Sequence, residues 1–86
     1  MEKFFVYILY SKLFNRLYIG QTNNLEKRIH LHNSGHVPST KHYLPWQKIY
    51  HEEFSSRTEA VLMEKNWKKS HKRRIIKEMI KHLENS

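Results

Sequence analysis

The chain has no cysteine, which excludes disulfides and thiolate metal sites. It has only two glycines and two prolines among its 86 residues. That leaves little material for a flexible linker, and no internal repeat or low-complexity segment is visible. Long hydrophobic runs are also missing. The apolar stretch Phe4–Tyr10 is far too short to span a bilayer or to serve as a signal-peptide core. Acidic residues are scarce, eight Asp and Glu against sixteen Lys and Arg. These absences lead us to expect a soluble cytoplasmic protein without a membrane partner, forming a single domain over residues 1–86. A chain of this size buries about 60–65% of its unfolded surface.

What is present is positive charge. The formal net charge is +8 and the pI is about 9.9, which favours a polyanionic partner. The densest basic run is "KKSHKRR", Lys68–Arg74. It reads equally well as a solvated helix face or as a strip that tracks a nucleic-acid backbone.

The local patterns define an α+β domain. "KFFVYILY", Lys3–Tyr10, is rich in aromatic and β-branched residues, and "RLYIG", Arg16–Gly20, follows across the loop "SKLFN", so the two read as a β-hairpin. Phe5, Tyr7 and Leu9 fall on one face of the first strand and Val6, Ile8 and Tyr10 on the other, so both faces should be buried. From Asn24 a helix is expected through Leu25, Ile29 and Leu31, with Thr22 or Asn23 as N-cap and Gly35 as the left-handed residue after its end. The segment "HVPSTKHYLP" holds both prolines and reads as a loop. A third strand spans Trp46–Phe54. Ser56 and Glu59 form a capping box that opens a helix through Ala60, Met63 and Trp67. A last helix runs from about His71 to Leu83, with Ile75, Ile76, Met79, Ile80 and Leu83 as its buried stripe. The order ββαβαα predicts a small three-stranded, largely antiparallel sheet packed by helices.

Two features stand out against this background. Ala60, Met63 and Trp67 share a helix face, and Glu64 borders that stripe. An ionised carboxylate there needs a partner, either a divalent cation or a nearby base such as Lys68 at i+4. The seven histidines invite a zinc reading, but His30 and His32 point to nearly opposite sides of a helix and His36 lies past its end. His30, His36, His42, His51, His71 and His82 are therefore expected to be exposed and unpaired.

Taken together, "VYI" at Val6–Ile8, "YIG" at Tyr18–Gly20, "GQTNNLEKR" ending in Arg28, "HNSG" at His32–Gly35 and the spaced set Ala60, Glu64, Lys68 resemble the GIY-YIG nucleases. The resemblance covers nearly the whole chain and is nearest to the small stand-alone YhbQ-like branch, which is related to the nuclease domain of the UvrC excision nuclease. Two departures are visible. Val6 stands where the first signature glycine is usual, and the chain ends in "HLENS" without the Asn-Pro tail of many members, leaving Asn85 as a stand-in for the asparagine.

The resemblance implies a metal-dependent endonuclease. In it Tyr18 or Tyr7 activates water, Mg²⁺ or Mn²⁺ held by Glu64 binds the scissile phosphate and the leaving oxygen, and Arg28 steadies the phosphate. It gives His32 a part in proton transfer or in orienting a tyrosine, with protonation shaping activity between about pH 5 and 8. These roles match what phosphodiester hydrolysis demands. Tyr18 is favoured as base, and no small organic cofactor is expected. Lys68, Lys69, Lys72, Arg73, Arg74 and Lys77 form the candidate nucleic-acid-binding strip. DNA is the expected partner, with branched, nicked or single-stranded DNA as candidate structure-selective targets and RNA left open, and low sequence specificity follows from the lack of room for a recognition domain. The competing reading is a catalytically weak nucleic-acid-binding module that keeps the nuclease fold.

Overall fold

The computed structural model describes residues 2–84. Asn85 lies outside the described residues. Three strands, β1 (Phe4–Ser11), β2 (Arg16–Thr22) and β3 (Gln47–Phe54), form one antiparallel sheet in the order β2-β1-β3. The helices are α1 (Leu25–Asn33), α2 (Arg57–Trp67) and α3 (Arg73–Glu84), with short 3₁₀ turns at Lys41–Tyr43 and Ser70–Lys72.

Strand β1 takes the centre because its sequence is apolar on both faces. Val6, Ile8 and Leu9 have no exposed surface and Tyr7 has 1%, and full burial of an aliphatic side chain contributes about 1.5–3 kcal/mol. On one face Phe4, Val6 and Ile8 pack against Ala60, Trp67 and Ile76 of α2 and α3. On the other, Tyr7 and Leu9 pack against Trp46, Leu25 and Ile29 beneath α1. A bulge interrupts the β1–β3 register between Ile8 and Leu9.

The caps explain where the helices begin and end. Asn24, not Thr22 or Asn23, caps α1, its side chain accepting the Lys27 N–H. The reason is that β2 continues through Thr22, which pairs with Phe5, while the Thr22 hydroxyl accepts the Asn24 N–H. At the other end Gly35 has φ +80°, and the His36 and Gly35 N–H groups return to Leu31 and His32 carbonyls, a Schellman closure. Ser56 caps α2 as the sequence indicates, its hydroxyl accepting the Glu59 N–H.

Two smaller expectations change. The last helix opens with the 3₁₀ turn at Ser70–Lys72 and becomes α-helical at Arg73. Ile75 is 43% exposed and leaves the stripe, whereas Ile76 is buried and Met79 and Ile80 pack on the core. No helix among the described residues is long and apolar enough to cross a membrane.

Candidate active site

The site grows from the register of the hairpin. Tyr7 lies opposite Gly20, and Leu9 opposite Tyr18, so both tyrosines project from the α1 side of the sheet. Gly20 makes this possible by lacking a side chain. A Cβ there would come within 2.6 Å of the Tyr7 hydroxyl oxygen and 2.8 Å of its Cζ, so the glycine of "YIG" is the floor on which the Tyr7 phenol lies.

Helix α1 closes the site from above. Leu25, Arg28, Ile29 and His32 follow the i, i+3, i+4, i+7 spacing of a core-facing stripe, with two of its places held by an arginine and a histidine. That pattern was available in the sequence as a signal independent of any family. The His32 ring centroid is 5.8 Å from that of Tyr7 and 4.7 Å from that of Tyr18, and the two tyrosine rings are 6.2 Å apart. Thus Tyr7, Tyr18, Arg28 and His32 come together.

His32 is fully buried, unlike the exposed ring an ordinary helix-end histidine would present. Its Nε2 lies 3.0 Å from the Tyr7 hydroxyl and its Nδ1 2.8 Å from Oγ1 of Thr40. Thr40 in turn donates to the Val37 carbonyl at 3.4 Å. A hydroxyl has one proton to give, so Thr40 accepts from His32 Nδ1–H. Nε2 is then the acceptor, and the Tyr7 O–H donates to it. Arg28 points the same way, since its guanidinium only donates and faces the phenol oxygens of Tyr7 and Tyr18.

The electrostatics follow this order. Burial pushes the Tyr7 phenol up to about 12, opposed by Arg28 and supported by the charges of Tyr18 and Glu64. Burial, with Arg28 beside it, lowers His32 to about 4. The expected titration of His32 between pH 5 and 8 is therefore corrected, because the desolvated ring stays neutral there. Arg28 is raised above its ordinary value, chiefly through its interaction with Tyr7.

Thr40, Asn33 and Trp46 were missed by sequence reasoning. The Asn33 side chain clasps the Trp46 backbone, donating to its carbonyl at 3.0 Å and accepting its N–H at 2.6 Å. The Trp46 indole donates to the Thr40 carbonyl at 3.0 Å. This clasp holds the proline-containing loop so that Thr40 meets His32. Nothing local in the sequence marks a loop threonine for that task.

Glu64 arrives from α2, in the layer on the other side of the sheet. It is near enough for its charge to be felt at Tyr7, and its Oε2 pairs with Lys68 Nζ at 2.7 Å. That pair realises one of the two partners foreseen for this carboxylate. Among the described residues no group of three or more His or acidic side chains is arranged to hold a metal ion. A single carboxylate does suit Mg²⁺, which commonly takes one or two from the protein and fills its shell with water and phosphate oxygens.

The basic strip is spread differently. Lys72 sits over the Trp67 ring at 4.8 Å, and Lys69, Arg73, Arg74 and Lys77 are exposed on the α2–α3 layer. None of these five is brought to the tyrosine cluster. Two of the histidines expected to be free have partners, His36 with Ser34 and His51 with Lys48.

Comparisons with known proteins place the chain in a family. The GIY-YIG catalytic domain model matches residues 3–78, and the chain belongs to that family, whose fold and site are of the nuclease type. A UPF0213 protein of Staphylococcus haemolyticus is 40% identical over 82 residues, covering 91% of this chain and 99% of its own. Another, from Limosilactobacillus reuteri, is 33% identical over 94% of this chain and 86% of its own. No solved structure matches the chain.

Proposed function

We propose that the protein is an endonuclease that hydrolyses phosphodiester bonds in DNA with low sequence specificity and depends on Mg²⁺ or Mn²⁺. The observation that carries this reading is the convergence of two phenols on one buried imidazole, with the Arg28 guanidinium facing both. Such a cluster can take a proton from water and balance negative charge on a phosphoryl group. Beside Arg28 a cavity of about 190 Å³, also lined by Lys27 and Thr22, offers two cations to a phosphate.

Tyr18 is the group that accepts the proton of the attacking water. It is only half-buried, whereas Tyr7 is buried, has its proton directed to His32 and resists ionisation up to about 12. Arg28 faces the Tyr18 oxygen and binds a non-bridging oxygen of the phosphate. Tyr7 and His32 hold Tyr18 and Arg28 in place. As water gives its proton to Tyr18 its oxygen adds to phosphorus, the bridging P–O bond breaks, and the departing oxygen takes a proton from solvent water, so the products are a phosphomonoester and a free hydroxyl. Glu64 would hold the divalent cation, which supplies charge neutralisation at the phosphate and the departing oxygen.

The test is cleavage of labelled single-stranded, duplex and branched DNA by wild type and Glu64→Gln, with Mg²⁺, Mn²⁺ or chelator. Metal-dependent cutting that disappears in Glu64→Gln while binding persists supports the reading. Equal cutting by both proteins removes Glu64 from the metal site. Salt-sensitive binding without cutting on any substrate favours the nucleic-acid-binding module.

A further inference from the structure

The β1–β2 hairpin ends in a four-residue turn, Lys12–Asn15, in which Asn15 takes a left-handed conformation at φ 51°. So tight a turn has no interior, and its two apolar side chains face water. Leu13 is 77% exposed and Phe14 49%. Part of the Phe14 ring meets Tyr43 in an edge contact at 5.5 Å. The Arg16 guanidinium lies over the same Tyr43 ring, 4.6 Å from its centre.

This group is continuous with the tyrosine cluster. Arg16 pairs with Ser11 and Tyr18 with Leu9, so Arg16 and Tyr18 project from the same face of the sheet, about 7 Å apart along the strand. The charge around it has one sign. Residues 10–18 and 37–48, which build this end, contain Lys12, Arg16, Lys41 and Lys48 and no acidic residue.

We propose that the hairpin tip, Leu13 and Phe14 beside Tyr43 and Arg16, is a stacking platform for unpaired bases of single-stranded DNA adjoining the strand that enters the cleft. The inference rests on the nuclease reading of that cleft and names its substrate class. An intact duplex turns its base faces inward and presents phosphate and sugar, to which Leu13 and Phe14 offer nothing. A strand with open bases presents both partners this surface needs, π-faces for Phe14 and Leu13 and phosphates for Lys12 and Arg16. The spacing from Tyr18 places the contact on the order of two to four nucleotides from the scissile phosphate. DNA that is frayed, branched or gapped next to the cut would thus be held better than continuous duplex.

The experiment measures binding of the full chain, in chelator so that no cleavage occurs, to a short labelled single strand and to the matching blunt duplex at equal salt. Wild type should prefer the single strand. Phe14→Ala should weaken single-strand binding by about fivefold or more, as expected for one lost stacking contact, and change duplex binding by less than about twofold. Phe14→Trp should keep the preference, and its emission should be quenched by the single strand. Equal weakening on both DNAs, or no change on either, overturns the platform, as does a wild type without preference. A preference that depends on Phe14 in a protein that cuts no DNA under any metal condition would overturn the nuclease reading alone. Absence of binding to both DNAs, with Phe14→Ala instead abolishing a self-association of the wild type, would assign the tip to protein contacts and overturn both.

Discussion

The hydroxyl of Tyr7 and Nε2 of His32 stand 3.0 Å apart in a region closed to water, and the phenol is the donor. This contact converts a histidine that would ordinarily change charge near neutrality into a fixed acceptor. The ordinary value of 6.5 falls to about 4 through burial and the Arg28 charge. Because the unfolded chain binds a proton here that the folded chain refuses, the stabilisation is complete above about pH 6.5 and is lost as the pH falls towards 4. The loss over that window is about 3–4 kcal/mol at most. Urea unfolding of wild type and His32→Gln at several pH values between 7 and 4 should show the steeper acid loss in wild type. Identical slopes would refute the buried neutral ring.

Thr40 acts through His32. Thr40→Val keeps the volume but removes the acceptor for Nδ1–H, which should destabilise the fold by about 1–3 kcal/mol and free the ring to adopt the other tautomer. Nitrogen NMR of the imidazole reports the tautomer directly and distinguishes this from a packing defect. Thr40→Ser should restore the wild-type signal. An unchanged tautomer in Thr40→Val would show that Thr40 does not fix the ring.

Several of these features were legible in the sequence because they depend on local chemistry. The apolar residues on both faces of Phe4–Tyr10 place β1 at the centre of the sheet, and Gly35 and Ser56 mark helix ends through backbone and capping needs that any fold must meet. The start of α1 was less legible, since Thr22, Asn23 and Asn24 can each cap a helix and the choice depends on how far β2 stays paired with β1. The candidate cluster of Tyr7, Tyr18, Arg28 and His32 was legible from the order of those residues in the chain. Its inner support was not, because Thr40 reaches His32 only after Asn33 has clasped Trp46, a contact set by loop closure.

Gly20 offers a test of the floor beneath Tyr7. Gly20→Ala should destabilise by about 1–3 kcal/mol, because its Cβ would meet a phenol already held by His32. Tyr7→Phe removes the nearest atom but leaves Cζ, at 2.8 Å, so the double variant should lose less than the sum of the single losses. Strict additivity in thermal or urea unfolding would mean the two positions do not touch.

The two tyrosines should separate in kinetics. Tyr18→Phe removes the proposed proton acceptor and should lower the cleavage rate by a factor on the order of a hundred or more. Tyr7→Phe leaves that acceptor in place and deprives His32 of its donor, so its loss should be smaller, within about tenfold, and accompanied by reduced stability. Single-turnover cleavage together with unfolding measurements gives both numbers. The reverse order of rates would transfer the base role to Tyr7.

Lys68 competes with the cation proposed at Glu64. Its ammonium holds Oε2 at 2.7 Å, with 54% of the Lys68 side chain and 22% of the Glu64 side chain exposed. An exposed pair of this kind is worth only about 0.3–0.5 kcal/mol on a helix, so a divalent cation assisted by phosphate oxygens can displace it. Removing the lysine charge leaves the carboxylate ready for metal at little cost in stability. Lys68→Met should therefore lower the Mg²⁺ concentration that gives half-maximal cleavage, while the rate at saturating metal stays near wild type. A raised Mg²⁺ requirement would instead show that Lys68 positions Glu64 for the ion. A lower saturating rate would place the lysine on the DNA.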